Sequence, residues 1–248
     1  MRSNQEPEIL FVMGTDTGIG KTVLSLLLMQ FFFAKGLKPF YLKPVQTGCL
    51  DPYDTDSDAR FVYEHVEALR SRDPAESVIY CFREPKAPYF AARNEGSTID
   101  PRVIRKVVEE KRLHHSPLVL EAAGGILVPM TSTQHGVDLA AETGARPVLA
   151  ARSALGTINH TLLTLEALRA RNLEPLSIVF IDPLDPCTPR DLVEENMEAV
   201  RDFGGIPVAG VIPRIPDFSN PPGECFEILG RMFARERFSP CSPTRPSL

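Results

Sequence analysis

Gly14-Thr15-Asp16-Thr17-Gly18-Ile19-Gly20-Lys21-Thr22 follows the apolar run Ile9-Leu10-Phe11-Val12-Met13 and leads into Val23-Leu24-Ser25-Leu26-Leu27-Leu28. A buried strand that breaks at glycine and re-enters as a helix after Gly-Lys-Thr reads as a P-loop, with Gly14, Gly20, Lys21 and Thr22 in its fixed places. Backbone N–H groups and the positive end of the following helix cradle phosphates in such a loop. Lys21 then reaches the outer phosphates, and the Thr22 hydroxyl is placed to hold Mg²⁺. ATPases that carry a second lysine just after the first loop glycine would have it at position 15, where Thr15 stands beside Asp16.

Downstream, Lys35-Gly36 closes the loop helix, with a cation in the last turn and glycine just past it. Pro39-Phe40-Tyr41-Leu42-Lys43 reads as a second strand running into Pro44-Val45-Gln46-Thr47-Gly48, which puts Lys43 at the carboxyl end of a strand. Ligands bind at that edge of open parallel sheets, so Lys43 is either a phosphate or carboxylate partner or a solvated lysine. The acidic loop Asp51-Pro52-Tyr53-Asp54-Thr55-Asp56-Ser57-Asp58 leads into a helix through about Leu69. Its carboxylates complement the helix dipole, or one of them holds a metal. Tyr80 to Pro88 is a proline-rich interruption, and a helix follows from about Pro101 to Leu113 with proline in its first turn. His114-His115 at its end reads as a solvated terminus, because adjacent histidines on a helix diverge.

Leu118-Val119-Leu120 is a third strand, ending in Glu121-Ala122-Ala123-Gly124-Gly125. A carboxylate that ends an apolar strand sits at the same sheet edge as the P-loop, where a nucleotide-bound Mg²⁺ needs a partner, and Glu121 is therefore read as functional. Val137 to Glu142 reads as a short helix and Pro147-Val148-Leu149-Ala150-Ala151 as a strand. Leu155-Gly156-Thr157-Ile158-Asn159-His160 opens a long helix to about Arg171, whose free N–H groups form a second anion site unless Thr157 caps them. Leu176 to Ile181 is a strand, Thr188 to Phe203 a helix and Val208 to Ile212 the last strand, stopped by Pro213. An amphipathic segment runs from about Glu224 to Phe238. This alternation predicts an α/β fold: a single P-loop NTPase-like domain over 1–238, with a mostly parallel sheet and helices on both faces. The tail 239–248, with Pro240, Pro243 and Pro246, has too little apolar surface to fold and is expected to be disordered.

At 248 residues the chain can bury one large core. Its 43% apolar and 24% charged residues are ordinary for a soluble globular protein, and a net charge of -5 argues against broad nucleic-acid binding. Cys49, Cys81, Cys187, Cys225 and Cys241 are odd in number and never spaced C-x-x-C, which suggests neither a disulfide framework nor a zinc site and fits a reducing cytoplasm. Met1 to Glu8 lacks the apolar core of a signal peptide, and the apolar stretch Val23 to Ala34 is too short to span a bilayer.

The loop GTDTGIGKT, the segment KPVQTG, the helix start DSDA, the strand end VLEAAGG, the turn LGTINH and the weaker Tyr80, Phe82, Glu84, Pro85 pattern together resemble dethiobiotin synthetase over roughly Ile9 to Pro213. The resemblance implies a cytoplasmic, homodimeric ligase of biotin synthesis, dependent on ATP and Mg²⁺. Such an enzyme closes a ureido ring from 7,8-diaminononanoate and CO₂ through a carbamate and its phosphoric anhydride. It implies Thr17, Lys21 and Lys43 as catalytic residues. Gly18, Ile19, Gly20, Lys21, Thr22, Val23, Asp58, Glu121, Gly124, Ile181, Asp182 and Pro213 would surround the nucleotide and its metal. Thr22, Asp58 and Glu121 would hold Mg²⁺, while Thr17, Lys43 and Thr47 would meet the diamine. Gly156, Thr157, Ile158 and Asn159 would bind its carboxylate across a dimer interface. Two positions depart from the family: Ile181 stands where many relatives carry an adenine-reading asparagine, leaving Asp182 as the alternative acceptor, and Ala122 replaces glycine after Glu121. The competing readings are a non-enzymatic ATP switch of the partitioning or membrane-positioning type, with Phe226 to Arg235 as a targeting helix, and a related amidoligase. Thr15 and the glutamates around Gly230 weigh against the first, and the lack of a glutamine-hydrolysing domain against the second.

Overall fold

The computed structural model of the chain describes residues 9–184 and 186–234. The expected disordered tail and the end of the predicted last helix lie outside the described residues. Seven strands form one sheet: β1 (Ile9–Gly14), β2 (Phe40–Thr47), β3 (Val78–Phe82), β4 (Leu118–Glu121), β5 (Arg146–Arg152), β6 (Ser177–Ile181) and β7 (Val208–Ile212). Their order is β3-β2-β4-β1-β5-β6-β7, and every pairing is parallel. A parallel sheet is covered on both faces, so its central strands carry apolar residues at every position. On β1, Leu10 and Val12 enter one core, while Ile9, Phe11 and Met13 enter the other.

The first core is closed by α1 (Lys21–Ala34), α2 (Asp58–His65) and, after the other helices, by Gly223–Ala234. Here the Phe31 and Phe233 rings stack at 5.7 Å and Phe32 meets Phe233 at 5.4 Å. The second core is covered by α3 (Pro88–Asn94), α4 (Pro101–Arg112), α5 (Gly136–Thr143), α6 (Thr157–Arg169) and α7 (Arg190–Gly204); the helix 223–234 is α8. No helix among the described residues is long and apolar enough to cross a membrane.

Several boundaries differ from those expected. β2 does not end at Lys43: it runs on through Pro44 to Thr47, pairing with β3 from Lys43↔Val78 to Thr47↔Phe82. β4 accompanies it only over Phe40 to Leu42, so Pro44 falls where the strand has a neighbour on one side, the position in a sheet that tolerates a missing N–H. β3 and α3 occupy the stretch read as a proline-rich interruption. β3 is a half-buried edge strand, its run Val78-Ile79-Tyr80-Cys81-Phe82 beginning ahead of that stretch, and Pro88 is the first residue of α3 rather than a breaker. The helix expected through Leu69 stops at His65 and is followed by a short 3-10 turn, Glu67–Leu69.

Candidate active site

β1 delivers the loop. Five residues separate Gly14 from Gly20, one more than in the G-x-x-x-x-G-K-[ST] spacing, so the first fixed place falls on Thr15 and not, as expected, on Gly14. Gly18 and Gly20 turn the chain with φ of 68° and 89°, the left-handed region that glycine adopts without cost. At Gly20 a side chain is doubly excluded, since a Cβ there would lie 2.9 Å from Ile181. α1 then begins at Lys21 with no side-chain cap on its first turn. Its amide groups are thus presented to the loop, the arrangement that receives anions. Lys21 arches back so that its Nζ donates to the Asp16 carbonyl at 2.9 Å. Burial, and then the nearby charge of Lys43, bring its ammonium down to about 8, against the opposing pull of Glu121, Asp58 and Asp16.

Three elements bring oxygens together in front of this loop. Thr22 Oγ1, on the first turn of α1, lies 2.8 Å from Asp58 Oδ1 and 2.9 Å from Glu121 Oε1. One hydroxyl proton can serve only one of these acceptors at a time. Asp58 is the first residue of α2, because Ser57 caps that helix by accepting from the Arg60 N–H. Glu121 is the last residue of β4 and is 1% exposed.

The positive charge facing this acceptor-rich cluster is Lys43. Its Nζ is 2.7 Å from Asp58 Oδ2 and 2.8 Å from Glu121 Oε1, and it donates to the Ala122 carbonyl at 3.2 Å. Burial alone favours the neutral amine; Asp58 and then Glu121 overcome it and hold Lys43 charged, above its ordinary value. Burial acts in the opposite sense to the Lys43 charge on Asp58 as well, and there too the pairing wins, leaving the carboxyl below its usual range. Lys43 reaches this point although it is mid-strand, because β2 outruns β4 there and leaves the lysine level with the strand end at Glu121.

A cavity of about 230 Å³ gathers Thr17, Gly18, Gly20, Lys21, Thr22, Lys43, Thr47, Asp58, Glu121 and Gly124, together with Gln46 and Ala123. Ile19 and Val23 instead pack into the first core. Ile181 is buried against Gly20, and the Asp182 carboxylate accepts from the Leu184 and Thr188 N–H groups, closing its own loop. Pro213 follows β7 outside the cavity lining. Gly156, Thr157, Ile158 and Asn159 open α6 away from it. There Gly156, at φ 89°, is the N-cap and no side chain caps the helix; Thr157 faces Thr161 at 3.4 Å, so the alternative of a Thr157 cap does not form. A second cavity of about 420 Å³ lies between Thr15–Thr17, 125–129 and the α6 residues His160, Leu163, Thr164 and Ala167.

Two further residues act on the cluster. Tyr41 donates its hydroxyl to Glu121 Oε2 at 2.8 Å, and Gln46 Oε1 accepts from the Asp58 N–H at 3.2 Å. Tyr41 precedes Lys43 by two, the strand period that puts both on one face, and this was the available signal. Gln46 had none.

The donor set of one hydroxyl and two carboxylates suits a hard divalent ion such as Mg²⁺, which takes few protein ligands and completes its shell with phosphate and water. No group of three or more His, Cys, Asp or Glu among the described residues forms a cage for a metal without such help.

The chain matches a family model described as an AAA domain over residues 8–222. Its fold is similar to the MinC:MinD cell division protein complex of Aquifex aeolicus, with a TM-score of 0.57, 15% identity and coverage of 97% of this chain and 100% of that one. The Pyrococcus furiosus cell division ATPase MinD gives 0.55 at 15% identity, over 92% and 99%. These likenesses are of fold alone. In sequence it is 42% identical to the ATP-dependent dethiobiotin synthetase BioD of Nitrobacter hamburgensis, over 83% of this chain and 86% of that one. It is 37% identical to that of Anaeromyxobacter dehalogenans, over 89% and 96%. It also matches the biotin biosynthesis bifunctional protein BioCD of Bordetella avium at 40% identity, spanning 40% of that longer protein. Identity at this level across nearly the full length of two such enzymes places the chain in the dethiobiotin synthetase family.

Proposed function

We propose that this chain is an ATP-dependent dethiobiotin synthetase, converting 7,8-diaminononanoate, CO₂ and ATP to dethiobiotin, ADP and phosphate. The observation that carries the reading is the convergence of Lys21, Lys43 and the Thr22, Asp58, Glu121 oxygens on one cavity. One amine of the substrate forms an N–C bond to CO₂, and a carbamate oxygen takes the terminal phosphoryl group of ATP as ADP leaves. The second amine then attacks the same carbon, closing the ring as phosphate departs. Both nucleophiles come from the substrate, so the chain has to position groups and stabilise charge.

Lys21 and the loop amides face the negative charge that spreads over a phosphoryl group in transfer, and Lys43 faces the carbamate end. To reach substrate, the Lys43 amine must give up at least one of its contacts with Asp58, Glu121 or Ala122. Thr17 and Thr47 supply hydroxyls at the cavity wall for the diamine. Thr22, Asp58 and Glu121 would hold Mg²⁺, whose charge neutralises the phosphate oxygens when it is bound.

The test is direct: purified protein with diaminononanoate, bicarbonate, Mg²⁺ and ATP is scored for stoichiometric ADP and dethiobiotin, and absence of dethiobiotin refutes the assignment. Position 181 offers an apolar side chain, and the Asp182 oxygens already accept from two backbone N–H groups. Weak discrimination among nucleoside triphosphates is therefore part of the proposal, and a strict ATP preference in parallel assays removes it. The α6 start, Gly156 to Asn159, is assigned to the substrate carboxylate of the opposing subunit in a homodimer, and the enzyme to the cytoplasm.

A further inference from the structure

Cys49 and Cys81 lie outside the chemistry described so far, yet their sulfurs are 3.4 Å apart. Cys49 follows the end of β2 and is 3% exposed; Cys81 is on the edge strand β3, half-buried, opposite Gln46. Backbone bonds from the Gly48 and Cys49 N–H groups to the Phe82 carbonyl fix the two segments against each other. A disulfide has sulfurs about 2.05 Å apart, so the pair is a small approach short of bonding distance. The surroundings are acidic, with Asp51, Asp54, Asp58 and Glu95 all acting on one thiol or the other. A positively charged small disulfide is the oxidant that such surroundings favour.

We propose that Cys49 and Cys81 are a dithiol modification site, closed to a disulfide by exchange with a small cationic disulfide, and that closure restrains the segment carrying Asp58. The half-buried Cys81 sulfur attacks the small disulfide, whose S–S bond breaks and releases one thiol. Cys49 then attacks the Cys81 sulfur and releases the second. Two protein thiols are oxidised, one small disulfide is reduced to two thiols, and the protons pass to the leaving thiolates. Both protein thiols are pushed up, mainly by burial, which makes the exchange slow, on the scale of hours. Closure pulls on Cys49, two residues past the cavity-lining Thr47, and on β3 opposite Gln46, which holds the Asp58 N–H. Displacements near 1 Å at reacting groups can cost about a hundredfold in rate.

The experiment incubates the full chain overnight with cystamine, then maps peptides by mass without reduction. A 49–81 cross-link is expected, with exposed Cys187 carrying only a mixed disulfide. The cross-linked protein should melt several degrees higher, since the bond closes a long loop, and should form dethiobiotin at least tenfold more slowly until dithiothreitol is added. Cys81→Ser should keep its turnover in cystamine and show no cross-link. Persistent mixed disulfides on Cys49 or Cys81, or unmodified thiols, overturn the site; full turnover in cross-linked protein overturns its coupling to Asp58. The mass map does not depend on the reaction assigned above, so protein inactive before oxidation counts against that assignment alone.

Discussion

Lys43 is enclosed between Asp58 and Glu121 at 4% exposure, with Tyr41 braced against the far oxygen of the same glutamate. Removing the ammonium while keeping the stem separates its electrostatic role from its packing. Lys43→Met should lower dethiobiotin formation roughly a thousandfold, as loss of a preorganised charge in a dry site does. It should leave nucleotide affinity within a few-fold, measured by titration calorimetry. It should also melt earlier without divalent ions, because the buried Glu121 and the part-buried Asp58 carboxylates lose their partner. Unchanged turnover would remove Lys43 from the reaction. Tyr41→Phe tests the brace. It should raise the Mg²⁺ concentration for half-maximal turnover by about tenfold or more, as loss of an outer partner of a metal-ligating carboxylate does, while the far-ultraviolet spectrum is retained. An unaltered metal titration would reduce Tyr41 to packing.

At this scale the sequence was legible where chemistry forces a local pattern. The Gly-Lys-Thr turn and a carboxylate ending an apolar strand announce themselves. Lys43 was found through a strand end that turned out to belong to β4 and not to its own strand. Gln46 was illegible because its partner, the Asp58 N–H, is brought to it only by the packing of α2 on β2.

Among the elements, α5 illustrates how a short helix is held. Asp138 accepts from the His135 N–H at 2.7 Å, closing a capping box, and from Arg171 Nε just past α6 at 2.8 Å. Partial burial opposes ionisation, but these two donors win and keep the carboxyl below its ordinary 3.8. A depressed carboxyl stabilises the fold above its free value and ceases to do so as pH falls through its folded value. Asp138→Asn should therefore cost about 1 kcal/mol near neutrality, discounted for partial exposure. The gap between the melting curves should close on acidification below the free carboxyl's range; a gap constant with pH would mean that the charge is irrelevant. Central strands and amphipathic helices were readable by their apolar runs. β3 has such a run too, Val78 to Phe82, but the prolines that follow it hid both its end and the start of α3, and its partner is the part of β2 that outruns β4.

For the molecule as a whole, the proposed carboxylate site turns on association. Leu155 and Leu163 are 81% and 60% exposed beside the second cavity and the α6 start. In the proposed homodimer these two leucines would lie in the contact between subunits. Leu163→Asp is expected to turn a dimer into a monomer by sedimentation equilibrium and to raise KM for the diamine with nucleotide affinity preserved. A wild-type chain that is monomeric at micromolar concentration would sink the shared site. The sheet order could not be read from the sequence beyond its parallel character, since alternation of strands and helices is the same for many orders.

That order carries a consequence for how the protein is made. β1 lies between β4 and β5, so the segment Ile9–Gly14 is translated long before either neighbour, and its six buried residues lack their full sheet until Arg152 has been added. Late, non-local pairing of this kind slows folding and leaves an adhesive stretch for chaperones to shield on the ribosome. The nucleotide-gripping turn can take its final shape only once both β4 and β5 have followed it off the ribosome.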